Sequence, residues 1–485
     1  MDVYRCVLVF AHAERPELFP GIAAHLKRRH GTRAILIGTT RESCAHYERR
    51  FPGVFDEAIS TRFFYDSLLE PEPPAKEVFE EARALERRFD FRLMQLVMDN
   101  RHLGIGFSPG GLRFPRSNFA RAATYAKALR AHCQLLRTLE EVIERRKVSL
   151  VLNPTGAAAV VAAAKGIPVR TLMATRYRDY HYWAVDDVLT SNVLAGRWAV
   201  RRGGTGHDGT LEAGPGYYGA VRRQMLTAFR TRGMVRAIAR EVARRAYHRL
   251  RGYDKAKEYP LSENILAHYR IWAQHRVLRR GRLFALDELD GADFVYFPLG
   301  VEPERSLTRD SPEFTDQRFA ALALAKELPA GVVLAIKEHL PAIGPRPRDY
   351  YEGLRAMTNV ILLDPLIPSI NAIKRSRAVA TVTGTAGLEA AILGKPVISF
   401  GKHNIYNIVP HVHTVASWLD IAGAVAAVLR DDDAAQEARE RDGRVFLGSL
   451  VDISVDLAGV DFRSPPSEAA VDAILDLLER TFTRT

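Results

Sequence analysis

The stretch TVTGTAGLEAAILGKPVISFG, residues 381–401, carries the fold in miniature. An apolar β-branched run leads into Gly384-Thr385-Ala386-Gly387. A helical pattern bearing Glu389 follows, and a second strand-like run closes at Gly401. Strand, small-residue turn, helix and strand in that order are the parts of a parallel βαβ unit. In an open parallel sheet, ligands gather beyond the carboxyl ends of the strands, where helix N-termini point free N–H groups outward. Thr383, Gly384, Thr385 and Gly387 fall at that place. Glycines let a phosphate approach the backbone, threonine hydroxyls add hydrogen bonds, and the helix dipole favours an anion. Glu389, expected on the first turn, is suited to accept hydrogen bonds from ribose hydroxyls. The turn is neither a dinucleotide G-x-G-x-x-G nor a Walker A loop, since Gly394-Lys395 is followed by Pro396 and opens a strand. Spacing alone leaves a second reading equally open: a tight turn, with Glu389 favoured by the dipole.

Working outward, the same alternation fills the region around this stretch. DFVYFPLG (293–300), GVVLAIKEH, VILLD, AVATVTG and PVISFG read as strands separated by helical patterns. The N-terminal part repeats the scheme. RCVLVFAHA, TRAILIGTT, VSLVLNP and IPVRTLM are strand-like, and the last two flank the small-residue helix GAAAVVAAAKG. From about residue 200 to 292 the alternation stops at a Gly-rich stretch and a basic helical one. The expected layout is α/β, two Rossmann-like doubly wound domains with a basic helical insert between them. Its parts are 1–200 (acceptor side), 201–292 (linker and basic helices), 293–430 (nucleotide-sugar side) and 431–485 (helical tail).

Two further strand ends carry polar clusters. Lys337, Glu338 and His339 close one strand, with Gly344 and Arg346 in the loop beyond. A lysine or histidine at a sheet rim can hold a phosphate as a point charge or a directed donor. Taken singly this is an exposed mixed-charge loop; two such motifs on rims of one sheet favour a pocket. YFPLGVEPERS supplies a third strand end, with Glu302, Glu304 and Ser306.

FPLGVEPERS, KEHLPAIGPRPRDYY and TVTGTAGLEAAILGKPVISFG, in that order, resemble the bacterial capsule or surface polysaccharide biosynthesis family, which includes the β-Kdo transferases. The likeness covers roughly 293–410. It implies a GT-B glycosyltransferase whose C-terminal domain binds the nucleotide of the donor. Lys337, Glu338 and His339 match the family's Lys-Glu-His-Pro, whose histidine contacts the donor's phosphate region. Gly384, Thr385, Gly387 and Glu389 match its nucleotide turn. Leu340 stands where the family has proline, and Gly300 and Glu302 replace a His and a Gln. A CMP-linked sugar, with Kdo or another acidic sugar, is the nearest donor. No other cofactor and no metal ion are expected.

The N-terminal candidates follow from what sugar transfer needs: a base or nucleophile, and cationic help for the leaving phosphate. His12 and Glu14 at the end of the first strand, and Asp186 further on, are the catalytic candidates. Arg176 is the candidate partner for an acidic sugar's carboxylate. For His12 a backbone-bonded structural role fits equally well. His403, His411 and His413 lie in a stretch that reads as irregular loop without acidic or cysteine partners, so no metal site is expected there. Two rivals share the pattern: a non-hydrolysing sugar-nucleotide epimerase, and a non-catalytic assembly or export component.

Composition bounds the rest. A hydrophobic content of 47% with 26% charged residues belongs to a globular chain with substantial cores. Cys6, Cys44 and Cys133 show no metal or disulfide spacing. No apolar run reaches the ~18 residues that span a bilayer, and a cytoplasmic location is expected. Net charge is +12, and residues 221–260 hold twelve basic residues against three acidic ones, a surplus of nine. Met234, Ile238 and Val242 are expected on one helical face there, and Arg236, Arg240 and Arg244 on another. The segment lacks aromatic interleaving, so nucleic acid ranks below a solvated face or an anionic membrane surface reached through 221–257.

Overall fold

Runs such as Val7-Leu8-Val9 and Leu334-Ala335-Ile336 have no polar side chain to turn toward water. They are stable only where helices cover both faces of a sheet. The computed structural model describes residues 3–12, 15–100, 103, 116–202, 215–252, 259–302, 304–309, 311–430 and 434–482. Two compact units divide the chain. The first comprises Met1–Asn100, Arg121–Arg197 and Leu450–Thr485; the second comprises Arg101–Ala120 and Trp198–Ser449.

The first unit holds strands β1 (Cys6–Phe10), β2 (Arg33–Gly38), β3 (Glu57–Ser60), β4 (Leu150–Leu152), β5 (Val169–Ala174) and β6 (Tyr180–Ala184). β3-β2-β1-β4-β5 are parallel in that order, and β6 adds antiparallel to β5. The strand order reverses beside β1, as in a Rossmann sheet.

The second unit holds β7 (Asp293–Pro298), β8 (Val332–Lys337), β9 (Val360–Leu363), β10 (Ala378–Thr381), β11 (Val397–Ser399) and β12 (Val412–Thr414). All its pairings are parallel, in the order β12-β11-β10-β7-β8-β9. Renumbered from β7 this is the doubly wound 3-2-1-4-5-6, with its switch point between β7 and β10. β12 carries His413 and follows His411, so the stretch expected as irregular loop ends the sheet. His411 is buried, with Nε2 2.9 Å from the Ala391 carbonyl oxygen.

The expected tail does not stand apart. Helix Ala434–Asp452 leads to β13 (Val455–Asp456), which pairs antiparallel with β6. Helix Glu468–Arg480 then buries Val471, Ile474, Leu475 and Leu478 against Leu172 and Trp183 of the first unit. Trp183 Nε1 donates to the Ile474 carbonyl at 2.9 Å. An amphipathic helix with so apolar a face requires a core, and the first sheet supplies it.

The expected 201–292 region is likewise not an independent layer. Met225 and Phe229 at the end of helix Pro215–Ala228, and Leu278 of helix Leu261–Arg280, join the second unit's core. Helix Thr231–Leu250 stays largely outside, burying Gly233 and Glu241. Met234 and Ile238 are half-buried, while Val242 is exposed, so the expected shared face splits. No helix among the described residues is long and apolar enough to cross a membrane.

Candidate functional site

The switch point of the second sheet is bounded by the loop after β7 and the turn after β10, with the end of β8 next to them. On the β10 side, Gly384 caps helix Thr385–Ile392 without a side chain to close the first N–H groups, and its own N–H donates to Thr381 Oγ1 at 3.0 Å. Thr383 and Thr385 are part-exposed. Gly387 is a packing glycine, contrary to the phosphate-approach role expected of it. A Cβ there would lie 2.4 Å from the Tyr406 hydroxyl and 2.7 Å from Thr381 Cγ2. Glu389 sits one turn into the helix and not on its first turn, because the helix begins only at Thr385.

Glu389 and Lys337 meet across this rim. Lys337 is buried at the end of β8, and its Nζ donates to the Ile367 carbonyl at 3.0 Å. The ammonium's other two donors have no protein partner among the described residues. Burial pulls Lys337 down to about 8, with Glu389 and Asp364 opposing. Burial pushes Glu389 up to about 7, with Lys337 opposing. The Glu389 carboxylate has no hydrogen-bond partner among the described residues. A desolvated carboxylate and a desolvated ammonium, coupled but each short of partners, form a site suited to a polar, anionic ligand.

Glu338 and Arg346 behave otherwise. Arg346 is fully buried and spends its guanidinium on protein. Nε donates to Glu338 Oε2 at 2.8 Å, Nη2 to Glu338 Oε1 at 3.0 Å, and Nη1 to Glu302 Oε2 at 2.8 Å. Nη2 also donates to the Gly300 carbonyl at 2.8 Å, and the guanidinium lies over the Tyr350 ring at 4.5 Å. Glu338 further accepts from the Tyr351 hydroxyl at 3.0 Å and the His339 N–H at 2.8 Å. Glu302 also accepts from Gln317 N at 3.0 Å. Burial raises the Glu302 carboxyl, with Arg346 opposing most strongly. The expectation that Glu338 and Arg346 bind substrate is therefore corrected: neither has an unused polar atom to offer. They lock the loops after β7 and β8 together and set the exposed His339 at the rim.

Gly344 is also corrected. It is buried, and a Cβ there would lie 2.6 Å from Ile271 Cγ1, so it serves the close approach of helix Leu261–Arg280. Sequence reading missed Gln317 and Tyr351 as parts of this network. The signal available was two acids just past strand ends and one arginine in the loop beyond β8, with nothing in the spacing to pair them.

In the first unit, His12 is half-buried just past β1, its ring 6.3 Å from that of Phe19. Glu14 lies outside the described residues. Arg176 is exposed in the β5–β6 turn, at φ 66°. Asp186, expected as a catalytic carboxylate, closes a loop: Oδ1 accepts from Thr190 N at 2.9 Å and Oδ2 accepts from the Thr190 hydroxyl. That is a turn-forming arrangement. Among the described residues, no group of three His, Cys, Asp or Glu side chains is placed to hold a metal ion.

Two mostly parallel sheets in Rossmann order, the second with a charged rim at its switch point, define a two-unit Rossmann-like α/β protein. Residues 230–410 match the family model described as capsule polysaccharide biosynthesis protein, the family that the three motifs resemble. No curated protein sequence matches the chain at a significant level. Similar solved structures include KpsC, a β-Kdo 2,7 transferase from Thermosulfurimonas dismutans, at 12% identity over 70% of this chain and 90% of that one, TM-score 0.33. CalG4, the calicheamicin glycosyltransferase, is 16% identical over 99% of each chain, TM-score 0.28. UDP-GlcNAc 2-epimerase from Neisseria meningitidis, bound to UDP-GlcNAc, is 13% identical over 98% of this chain and 99% of that one, TM-score 0.27.

Proposed function

We propose that this protein is a glycosyltransferase that moves a sugar from a nucleotide donor to a surface-glycan or glycolipid acceptor, with the nucleotide held at the β7–β10 rim. The observation that carries the reading is the Lys337–Glu389 pair. Two separate motifs bring one desolvated cation and one desolvated carboxylate to a single sheet edge, each with bonding capacity to spare. The ammonium suits the phosphate, and the carboxylate suits the ribose hydroxyls. In the transfer, the acceptor hydroxyl gives its proton to a base, for which His12 is the candidate, and its oxygen bonds to the anomeric carbon while the carbon–oxygen bond to phosphate breaks and the nucleotide leaves. Lys337 then meets the charge that grows on the leaving nucleotide, so no metal ion is required for that task. The proposed donor is an acidic sugar such as Kdo carried on CMP, which is what the resemblance of the three motifs to the β-Kdo transferases implies; the family match itself supports only a role in capsule polysaccharide biosynthesis. His12, Glu14 and Arg176 are the proposed acceptor-side groups.

Calorimetric titration with CMP, UDP and GDP tests the rim. Thr385→Trp places an indole at the helix start, and it should abolish the binding seen in the unmodified protein with an unchanged melting temperature. Binding that survives the substitution removes the nucleotide from this rim.

Peripheral attachment to an anionic membrane belongs to the same proposal. Helix Thr231–Leu250 exposes Val235, Val242, Tyr247 and Leu250 together with Arg232, Arg236, Arg240 and Arg249. Basic residues contribute about 1 kcal/mol each near anionic lipid. Flotation with phosphatidylglycerol vesicles should show binding at low salt that is lost in high salt or in Arg236→Glu/Arg240→Glu. Absence of binding at low salt ends this part.

A further inference from the structure

We propose that Asp364 sets the base of the donor: it accepts a hydrogen bond from the exocyclic amine of a single-ring base, and so selects cytosine over uracil. The inference rests on the reading that the rim of the second sheet holds the donor nucleotide, and it names what reads the base of that nucleotide. Asp364 follows β9 and lines a cavity of about 220 Å³. Leu340, one residue beyond His339, lines the same cavity, which therefore adjoins the Lys337 end of β8. The loop after β9 joins the two places: Lys337 Nζ donates to its Ile367 carbonyl at 3.0 Å, and the Asp364 charge supports the ammonium. β9 stands two strand spacings, about 10 Å, from β7. A nucleoside monophosphate spans that reach, with its phosphate at Lys337 and its base beyond β8.

The cavity has the size and shape for such a base. Clefts that engulf a drug-sized ligand run to roughly 300–1,000 Å³, so this one takes a single ring and not a whole nucleotide. Phe229 lies flat on His275, with ring centroids 3.9 Å apart and an interplanar angle of 3°, and both line the cavity as a wall for a planar base. Leu226 and Leu366 add apolar surface. Burial draws His275 below its ordinary value, with Arg279 adding and Asp364 opposing, so the ring is neutral at pH 7.

Asp364 is fixed for the task. Its N–H donates to the Phe284 carbonyl at 3.0 Å, and its Oδ1 accepts from Leu366 N at 2.8 Å. Oδ2 has no protein partner among the described residues and is left to accept. The donors are Arg230, the N-cap residue of helix Thr231–Leu250, and Arg279 of helix Leu261–Arg280. Acceptor and donors thus come from different walls, the one from a strand end and the others from helices. Cytosine is divided the same way, with its N4 amine at one end of the edge and the N3 and O2 acceptors following. Uracil places its N3–H between two carbonyls, and its O4 in the place of the amine sets oxygen against carboxylate. An aspartate accepting from the cytosine N4 amine is a pairing that also reads this base in DNA.

The test is calorimetric titration of the full chain with CMP, UMP and GMP, for the unmodified protein, Asp364→Ala and Asp364→Asn. The unmodified chain should bind CMP at least about tenfold more tightly than UMP, one charge-assisted hydrogen bond against a repulsion. Asp364→Ala should bring the two within about threefold, through weaker CMP binding. In Asp364→Asn the amide oxygen takes the Leu366 N–H and the amide nitrogen faces the base as a donor, so UMP should bind more tightly than CMP. A merely structural role for Asp364 does not give that reversal, since a loosened loop weakens both nucleotides together. UMP binding as tightly as CMP to the unmodified chain overturns the proposal, as does GMP binding more tightly than either. So does a preference for CMP that is unchanged in both variants. Each of those outcomes leaves a nucleotide at the rim, whereas failure of all three nucleotides to bind the unmodified chain ends that reading and this one with it.

Discussion

Arg346→Ala should lose about 3–5 kcal/mol of stability, the range found when one partner of a buried ion pair is removed. The reason is what it leaves behind. Glu338 and Glu302 are 3% and 2% exposed at their side chains, and both have a guanidinium bond to Arg346. Without Arg346 the two carboxylates stay buried with only neutral donors, the Tyr351 hydroxyl and His339 N–H on Glu338 and Gln317 on Glu302. Each must then ionise at great cost or take up a proton. Arg346→Lys should recover little, because a lysine cannot place two parallel donors on Glu338 and reach Glu302 and the Gly300 carbonyl as well. Tyr351→Phe removes one neutral donor and should cost about 1 kcal/mol. Thermal unfolding of the second unit reads all three, with Arg346→Ala expected to lower Tm by roughly 10 °C. A loss under 1 kcal/mol would mean that solvent reaches the network and that the loops after β7 and β8 are not locked by it. Nucleotide affinity should fall in parallel, since these bonds set His339 and the β7 loop.

The fold was legible where burial makes a strand a continuous apolar run, as in Val332–Lys337 or Cys6–Phe10. It was not legible in Glu57–Ser60, Val412–Thr414 or Val455–Asp456, where short edge strands carry polar residues and are held by pairing rather than by pattern. The rim was legible as three strand ends because a doubly wound sheet puts them there. The division of labour within Lys337-Glu338-His339 was hidden. Adjacent residues at the end of β8 turn to different partners: Lys337 to Ile367 and the charge of Glu389, Glu338 to Arg346 and Tyr351. Those partners lie between 8 and 52 positions away, so no local spacing announces them. Gly344 and Gly387 misled for a related reason, since a glycine that admits a phosphate and one that admits a neighbouring side chain look the same in sequence.

Stability measured against pH should pass through a trough near pH 7–8 that comes from Lys337 and Glu389. Glu389 rises from 4.5 to about 7 on folding. Between those values the folded chain holds a proton that the unfolded chain has lost, so stability falls as pH rises through that window. Lys337 drops from 10.5 to about 8. Between those values the unfolded chain holds the extra proton, so stability recovers as pH rises from about 8 toward 10.5. Each limb amounts to about 3 kcal/mol at most, from some two and a half units at 1.36 kcal/mol each. Glu389→Gln should remove the acid limb and leave the protein more stable than the unmodified chain at pH 7.5, by up to that amount. The gain is partly offset, because Lys337 loses the charge that supported its ammonium. The same substitution should weaken nucleotide binding, since a carboxylate kept in a costly place without partners is explained by a ligand that supplies them. Chemical unfolding of both proteins from pH 4.5 to 9, with nucleotide titration at pH 7.5, separates the possibilities. An unchanged pH profile would show that Glu389 is solvated, and greater stability with full nucleotide affinity would take it out of the site while leaving Lys337 the anchor to test next.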